Sequence, residues 1–515
     1  MTDVLKGTMY KIATLTINSH NVVFTKVHPY LKGILDVFCR RLILYDRKKG
    51  NEFERMKVVK KSIFAASTMD RREIRFHINH KDELLKFIKN EGYSEDRLNI
   101  VKTPSYEGVP IEFKIKDDRK PFPYQIPLIN YILEDGIIKT ITLGTGDGKT
   151  FVALMAIAKM KKRVLIVILG RYVKKWIKDI ENAFYIKKGD LLVIRGNAHL
   201  IDLMNLAIAD KLEAKIIIVT SNTMQRYIKD YEHDEQRGYP IEPPNLLPTL
   251  GIGMKLIDET HQFFHLNFKM DLYSHVAKEV HLSATLEPSD GFLNKMYKVM
   301  YPIETRMQGK ARDRYIDVTA ISYRIHGSHK VRCTFEGKYS HTVFEKQILK
   351  NRRLLNGYLN IIWHIAITNF IELKADGQKM LILATTTELC SKIRDCLSEK
   401  FPDLRVEKYT YGDPEENLHD SDITISTFGS AGTAVDILNL KTCLMTNSIF
   451  SKQQNIQTLG RLRKLINYPD DNPEFIYIYS PDIEKQLSYH LSKYKFFKGL
   501  CRSHRNYDSN FSLKF

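Results

Sequence analysis

The stretch Ile141-Thr-Leu-Gly-Thr-Gly-Asp-Gly-Lys-Thr150 decides the fold of this chain. It passes from apolar residues that favour a strand, through three glycines, into the helical pattern Phe151-Val-Ala-Leu-Met-Ala-Ile-Ala158. Glycines let backbone N–H groups turn inward around phosphate oxygens, and the helix presents the positive end of its dipole to the same anion. The stretch therefore predicts a phosphate-binding edge in an α/β sheet.

The loop also predicts which side chains bind a nucleotide. Lys149 is expected to reach the β- and γ-phosphates of ATP, and Thr150 to hold Mg²⁺. The strict pattern G-x-x-x-x-G-K-[ST] requires glycine at position 143, where this chain has leucine. A glycine-rich turn that happens to precede a lysine is the alternative interpretation. The remaining predicted cofactor-binding residues of the loop are Gly144, Thr145, Gly146, Asp147 and Gly148.

A second polar segment, Met254-Lys-Leu-Ile-Asp-Glu-Thr-His261, places two carboxylates after an apolar strand. Ligands of parallel α/β sheets bind at the carboxyl ends of the strands. Asp258 is predicted to orient Mg²⁺ and Glu259 to polarise the attacking water, which is the division of roles that ATP hydrolysis requires. His261 and His265 have the spacing of a metal pair, but no third ligand accompanies them. We expect coupling or packing roles for these histidines rather than zinc binding.

The rest of the chain predicts the fold class. Apolar runs of four to six residues alternate with helical stretches from about residue 118, which is typical of parallel sheets. The alternation fades near 300 and resumes after about 345, so two successive α/β units are expected after a small α+β domain. In that first domain we predict strands at 12–17, 21–25, 58–65 and 73–78, and helices at 29–45 and 80–92. The predicted domains are 1–117, 118–305, 306–480 and a basic, aromatic segment 481–515.

Composition indicates the partner and the compartment. The net charge is +19, from 79 Lys and Arg against 60 Asp and Glu, and such a surplus favours a polyanionic partner, nucleic acid. The six cysteines show no C-x-x-C pair, and no apolar run approaches the 18 residues of a membrane span. We therefore expect a soluble, intracellular, cytoplasmic protein with no membrane association. The basic face of the first domain fits either nucleic-acid binding or simple solvation, and the terminal segment either base stacking or a helix packed on the second unit.

The order of motifs resembles the superfamily 2 DExH-box helicases, and within them the phage UvsW-type branch-migration helicases. The Asp258–His261 segment is similar to the DExH box, Ser283-Ala-Thr285 to motif III, and Leu381–Thr387 to motif IV. The resemblance implies two RecA-like domains with ATP and nucleic acid bound across their cleft. It also implies the host cytoplasm as the location if the protein is viral.

The resemblance further assigns roles to individual residues. Adenine would be recognised by Tyr124 and Gln125. ATP hydrolysis would be coupled to binding of the nucleic-acid strand by His261, Ser283 and Thr285. Motif V, with Thr427 and Asp436, has Ala434 where the family usually has glycine. Motif VI has Gln457, Arg461 and Lys464, with Arg463 one residue early, so the identity of the second arginine-finger residue stays open. The predicted contacts to the nucleic-acid backbone are Arg171, Thr223, Gln225 and Thr427.

We therefore predict an ATP-dependent helicase or translocase, most specifically a DNA helicase that remodels branched DNA in recombination, replication or repair. Protein partners would come from the replication or recombination machinery. The alternatives are an RNA helicase, a transcript-releasing or duplex translocase, and a catalytically inert nucleic-acid clamp. The intact Lys149, Thr150, Asp258 and Glu259 argue against the inert clamp. No nuclease constellation is recognisable, so any cutting would require a partner.

Overall fold

Two seven-stranded, all-parallel sheets organise the chain, as the alternation of apolar strands and helices predicts. In this computed structural model the chain divides into two units, Met1–Lys310 and Ala311–Phe515. The residues that the structure describes are 10–48, 57–68, 72–144, 147–234, 237–284, 286, 291–309, 314–431, 437–465 and 467–514. Tandem parallel sheets, each with crossover helices, confirm the predicted fold class.

The first unit begins with an α+β region whose five-stranded mixed sheet has the order β5-β6-β2-β1-β7. Strands β3 and β4 form a separate antiparallel pair. The bounds are β1 Ala13–Ile17, β2 Asn21–Thr25, α1 Pro29–Arg41, β3 Ile43–Lys48, β4 Lys57–Ile63, β5 Ala66–Ser67, β6 Glu73–His77, α2 Lys81–Asn90 and β7 Leu98–Lys102.

The larger sheet of the first unit has the order β12-β13-β10-β14-β15-β9-β16, with helices between successive strands. Its central strands are buried over their whole length, as a sheet covered on both faces requires. They are mainly apolar, but β14 and β15 also contain buried charged side chains. The bounds are β8 Lys114–Ile115, α3 Ile126–Leu133, β9 Ile138–Thr142, α4 Lys149–Met160, β10 Val164–Ile168, α5 Val173–Ala183, β11 Phe184–Tyr185, β12 Leu191–Ile194, α6 Asn197–Ile208, β13 Ile216–Thr220, α7 Ser221–Glu232, α8 Pro243–Thr249, β14 Met254–Ile257, α9 Phe264–Asp271, β15 Lys278–Ser283, α10 Gly291–Met300 and β16 Arg306–Gln308.

The α+β region and the larger sheet share one hydrophobic core. Phe64, which lies between β4 and β5, is fully buried against three aromatic rings of α9 and α10. Its ring centroid lies 5.8 Å from that of Phe264, 5.0 Å from that of Phe268 and 5.8 Å from that of Phe292. The amino-terminal region is therefore packed into the first unit as part of it.

The second unit contains the sheet β21-β22-β20-β23-β24-β17-β25. A π-helical turn, Ile367–Ile371, extends α12. The bounds are β17 Asp317–His326, β18 Thr334–Phe335, β19 Lys338–Tyr339, α11 His341–Lys350, α12 Arg352–Ala366, β20 Lys379–Ala384, α13 Thr387–Lys400, β21 Val406–Tyr409, α14 Glu416–His419, β22 Ile423–Thr427, α15 Phe428–Ala431, β23 Leu440–Met445, α16 Lys452–Leu459, β24 Glu474–Tyr479, α17 Glu484–Phe497 and β25 Ser503–Lys514.

Three predictions about elements need correction. The helix predicted over 29–45 ends at Arg41, and Ile43–Lys48 is a strand because it pairs with β4, a partner that local periodicity does not show. The region in which the alternation fades contains β17, which pairs with β24 and β25 on its two sides. In the terminal segment, α17 packs on the second unit as one interpretation expected, while the unexpected strand β25 extends the sheet.

All six cysteines are free thiols. Among the described residues, no helix combines the length and the apolar character that crossing a bilayer requires.

We expect Phe64→Ala to lower the free energy of unfolding of the first unit by about 3–5 kcal/mol, because it leaves a cavity among three aromatic rings. Urea unfolding followed by tryptophan fluorescence would measure the change, since Trp176 lies in this unit. Ile303→Ala is the control, since that side chain lies in the same unit, is 83% exposed and its loss should cost less than about 0.5 kcal/mol. An equally small effect at Phe64 would contradict a shared core.

Candidate active site

The predicted site residues of the first unit lie along one edge of its larger sheet. Because neighbouring strands are parallel, their carboxyl ends meet at that edge, where ligands of such sheets bind. The glycine loop follows β9, Arg171 follows β10, Asp258 follows β14, and Ser283 ends β15. Ser283 is directly opposite Thr142 in the register of β15 and β9. The loop, the Asp-Glu pair and Ser283 are thus neighbours in space.

The glycine loop leads into α4, which begins at Lys149. Thr145 and Gly146 lie outside the described residues, whereas Gly144, Asp147, Gly148 and the half-buried Thr150 are described. Gly148 has a φ of 81°, and a Cβ there would lie 2.3 Å from Nε2 of Gln125. Only glycine fits both this left-handed conformation and this close approach.

Lys149 is the central cation of the site. Its side chain is 9% exposed, and its Nζ lies 3.4 Å from Oε1 of Glu259. Within the described residues this buried ammonium has no hydrogen-bond acceptor. A buried cation at a helix N-terminus with unused donors fits a phosphate group, so the residues present match the predicted ligand.

Leu143, which departs from the strict loop pattern, is a core residue. It is 3% exposed, and its Cδ1 would lie 2.2 Å from a Cβ built on Gly309. Its backbone N–H donates to the carbonyl of Ser283 at 3.1 Å. Leucine at 143 therefore packs against a glycine on the neighbouring strand segment, and this explains why the position tolerates a large side chain.

Asp258 is held by two donors. Nε1 of Trp176 donates to Oδ2 at 2.9 Å, and the backbone N–H of Glu259 donates to Oδ1 at 2.8 Å. Burial and the neighbouring charge of Glu259 raise the pKa of Asp258, while Lys149 opposes this shift. A half-buried carboxylate that lacks a full counter-charge fits a divalent cation, so Asp258 and Thr150 suit Mg²⁺.

Trp176 was not identified from the sequence. It lies on the buried face of α5 and is 1% exposed, so periodicity alone indicates a core residue. The only additional signal is that tryptophan is rare in this chain, which has two. Its indole N–H fixes the rotamer of Asp258, which makes Trp176 a positioning residue of the site.

Glu259 has a φ of 49°, a left-handed conformation that costs a residue with a Cβ about 1–2 kcal/mol. Its Oε2 lies 3.4 Å from Nδ1 of His261, and the same nitrogen lies 2.9 Å from Oγ of Ser283. Burial, with the nearby charge of Lys149, lowers the pKa of His261 to about 3, so the imidazole is neutral near pH 7. Thr285, the third predicted coupling residue, lies outside the described residues.

The two histidines predicted not to bind zinc have separate hydrogen bonds. His261 bonds with Ser283, whereas Nε2 of His265 donates to the carbonyl of Ile63 at 2.8 Å. His265 therefore joins α9 to the amino-terminal region.

Tyr124 and Gln125 both reach the glycine loop. The Tyr124 hydroxyl and Nε2 of Gln125 donate to the carbonyl of Asp147 at 3.3 and 3.4 Å, and Oε1 of Gln125 accepts from the N–H of Phe122 at 3.0 Å. The amide of Gln125 is thus bonded to the backbone on both sides, so its recognition of adenine stays a prediction. Phe122, which the sequence did not single out, stacks on Tyr124 with centroids 5.8 Å apart.

The predicted nucleic-acid contacts of the first unit differ in accessibility. Arg171 is exposed and donates to Oε1 of Gln262 at 2.7 Å, while Gln225 is exposed on α7. Thr223 is 4% exposed; its hydroxyl accepts from the N–H of Gly196 at 2.8 Å and also bonds with the hydroxyl of Thr220. We therefore expect Thr223 to position α7 and the 196 turn, and Arg171 and Gln225 to be available to phosphates.

The predicted site residues of the second unit lie around β22 and α16. The hydroxyl of Thr427 accepts from the N–H of Ser430 at 3.2 Å, and Asp436 lies outside the described residues. Gln457 lies in α16, and Arg461, Arg463 and Lys464 follow the end of that helix. Gln457 and Arg461 are buried, Arg463 is half-buried and Lys464 is exposed.

A lysine at a helix N-terminus, paired with an Asp-Glu segment at the carboxyl edge of a parallel sheet, defines the class of nucleotide-binding domains that have a phosphate-binding loop. More particularly, residues 118–288 match the family model described as type III restriction enzyme, res subunit (ResIII). This match lies within the first unit.

The crystal structure of T4 UvsW aligns with 97% of this chain and 100% of that chain, at 13% sequence identity and a TM-score of 0.33. None of the curated proteins matches this chain in sequence.

We expect Gly148→Ala to weaken ATP binding at least about tenfold, since a Cβ would collide with Gln125 and strain the start of α4. Fluorescence titration with a labelled ATP analogue would measure the affinity. Gly33→Ala on α1 is the matched control, because a Cβ there meets nothing within 4 Å. Unchanged affinity in the Gly148 variant would show that the loop does not hold the nucleotide.

Proposed function

We propose that the chain is an ATP- and Mg²⁺-dependent nucleic-acid helicase or translocase of the DExH type, acting on branched DNA in recombination, replication or repair. The observation that carries this proposal is the buried pairing of Lys149 with Glu259 beside Asp258, at the carboxyl edge of the parallel sheet. The helicase-family domain at 118–288 supports the same activity.

The Lys149–Glu259 ion pair suggests how substrate binding prepares the site. The terminal phosphates of ATP carry more negative charge than one carboxylate, so they compete with Glu259 for Lys149. Glu259 then loses its cationic partner and is available to accept a proton from the attacking water. Mg²⁺, when bound, would neutralise charge on the phosphates, and Asp258 and Thr150 are the residues that would hold it.

Ser283 provides a route from hydrolysis to the rest of the sheet. Its hydroxyl bonds with His261, whose ring contacts Glu259, and its carbonyl accepts from Leu143 at the start of the loop. A change of partner at Glu259 therefore acts on β15 and β9 together. This arrangement supports the coupling roles proposed for His261 and Ser283.

For the second unit we propose roles by residue type. A guanidinium stabilises the charge of a transferring phosphoryl group better than an ammonium does, which favours Arg461 and Arg463 over Lys464. Gln457 and Asp436 are proposed to bind nucleotide, and Thr427 a nucleic-acid phosphate.

The charge of +19 and the exposed Arg171 and Gln225 support binding to a nucleic-acid backbone with little sequence preference and strong salt dependence. DNA is proposed over RNA because the motif order resembles that of branch-migration helicases.

Lys149→Ala should reduce ATP turnover by about 100-fold or more and weaken ATP binding, because the phosphates lose their buried cation. Glu259→Gln should retain ATP binding and lose a similar factor in turnover, because the general base is absent. Phosphate release and analogue titration would separate the two effects. Lys161→Ala is the control, since that lysine is exposed and its ion pair is with the exposed Glu112. Full turnover in the Lys149 variant would exclude the assigned site.

The substrate is tested by measuring ATPase stimulation with single-stranded DNA, a four-way DNA junction and RNA at equal nucleotide concentration. We expect the junction to give the largest stimulation, with loss of stimulation as salt rises from 50 to 200 mM by about a factor of ten or more. Preference for RNA would overturn the branched-DNA proposal in favour of an RNA helicase or a transcript-releasing translocase. Binding without any turnover would indicate an inert clamp.

A further inference from the structure

A fully buried cluster of charged and imidazole side chains lies between the amino-terminal sheet and the larger sheet of the first unit. Lys255 of β14 is at its centre, with Nζ 2.6 Å from Oδ1 of Asp271 and 3.1 Å from Oε1 of Glu279. Three histidines surround the carboxylates. Their Nε2 atoms lie 2.7 Å from Glu279 for His20, 3.1 Å from Glu279 for His281, and 3.3 Å from Asp271 for His77.

The cluster has the residue types of a metal site but already contains its cation. Asp271, Glu279 and His281 present their ligand atoms within 4.8 Å of one another, the only such group in the described part of the chain. The ammonium of Lys255 contacts both carboxylates, and it also donates to Oγ of Ser274 at 2.7 Å. A metal ion would have to displace a fully buried ammonium, so we assign the cluster a positioning role.

One end of the cluster reaches the Asp258–His261 segment through Thr260. The other ring nitrogen of His281, Nδ1, lies 3.1 Å from the side-chain hydroxyl oxygen Oγ1 of Thr260. The same hydroxyl is hydrogen-bonded to the hydroxyl of Tyr301 at 2.6 Å. Thr260 is fully buried, and it directly follows Glu259, whose backbone is left-handed. A non-glycine residue keeps that conformation only where its neighbours are firmly held, and these two bonds hold the next residue in place.

The other end of the cluster belongs to the amino-terminal region. His20 lies in the turn between β1 and β2, Asn21 begins β2, and His77 ends β6. Nδ2 of Asn21 donates to the carbonyls of Asp271 and Ser274 at 3.0 and 2.8 Å. Although burial acts in the opposite direction, Lys255, His281 and His20 hold the pKa of Glu279 well below its usual range, so this carboxylate stays ionised.

We propose that Thr260 and His20 are positioning residues for ATP hydrolysis, and that the amino-terminal region completes the support of Glu259 through the chain His20–Glu279–His281–Thr260. The proposal rests on the proposed ATPase function. The two links at Glu279 are close electrostatic contacts, because its oxygens and Nε2 of His20 and of His281 have no hydrogen bond among the described residues, whereas the link at Thr260 is a hydrogen bond. In a dry interior, an ionised carboxylate that loses one partner attracts the remaining ones more strongly. Loss of His20 therefore pulls His281 towards Glu279 and away from Thr260, and the left-handed Glu259 loses its fixed neighbour.

The test uses full-length variants and four measurements: kcat and KM for ATP, affinity for a labelled ATP analogue, and Tm. Thr260→Val keeps the shape and removes the hydroxyl, and we expect kcat to fall at least tenfold with KM and analogue affinity changed less than threefold. His20→Leu should lower kcat in the same way. His20→Gln should recover at least half of the wild-type kcat, because its amide N–H keeps a partial positive charge beside Glu279.

Lys295→Gln is the matched control. It removes an ion pair between α10 and Glu83 of α2, across the same packing surface but away from Thr260, and should leave kcat within twofold of wild type. Rates are measured well below the lowest Tm and divided by the number of analogue-binding sites, so that lost folding does not count as lost catalysis.

The outcomes separate the two proposals. If the wild-type chain hydrolyses ATP and the Thr260 and His20 variants keep kcat within twofold per site, the positioning proposal is wrong whether or not Tm falls, and the ATPase assignment stands. If the wild-type chain hydrolyses no ATP under any nucleic-acid condition, the proposed function itself fails. A tenfold or larger fall in kcat per site, reversed by His20→Gln, supports the proposal.

Discussion

The ion pair between Lys149 and Glu259 is the interaction on which the first unit's site depends. It exists because β9 and β14 are parallel and nearly adjacent, with β15 between them, so a helix that begins after one strand faces a carboxylate that follows another. Removing these two charges from water costs free energy. The ion pair compensates for only part of that cost, because the ammonium of Lys149 has no hydrogen-bond acceptor among the described residues. The site thus keeps unused binding capacity, which is the electrostatic condition for recognising a polyanion.

Much of the fold was accessible from the sequence because parallel sheets that are covered on both faces have a strong local signal. Strand β10, Val164–Ile168, is a continuous apolar run of the kind from which the α/β units were predicted. Strand β17, in contrast, alternates between buried and partly exposed residues near its ends, and the partners of β25 lie far away in sequence. Those strands depend on non-local pairing, which no window of sequence contains.

The candidate site likewise contains some residues that the sequence identified and others that it did not. Lys149, Asp258 and Glu259 were identified because their chemistry is tied to fixed spacing within two short segments. Trp176 was not identified, because its contribution to the site is one hydrogen bond to Asp258. The helix face on which it lies is otherwise typical of a hydrophobic core. The burial of Thr223 was also hidden, since helical position alone does not show that Gly196 occupies its hydroxyl. Conversely, Leu143 departs from the strict loop pattern, and its large side chain fits because Gly309, more than 160 residues later, has no side chain at that place.

The arrangement of the second sheet has a consequence for how this protein is made. Strand β17 is the first strand of its unit along the chain, but its two neighbours, β24 and β25, are the last. During synthesis β17 leaves the ribosome with both edges unpaired, and it stays so until the chain beyond Glu474 has been translated. Its alternation of buried and half-exposed side chains, together with Asp317 at its start, reduces the danger of wrong pairing in that interval. Slow, late closure of this sheet is therefore built into the order of its strands.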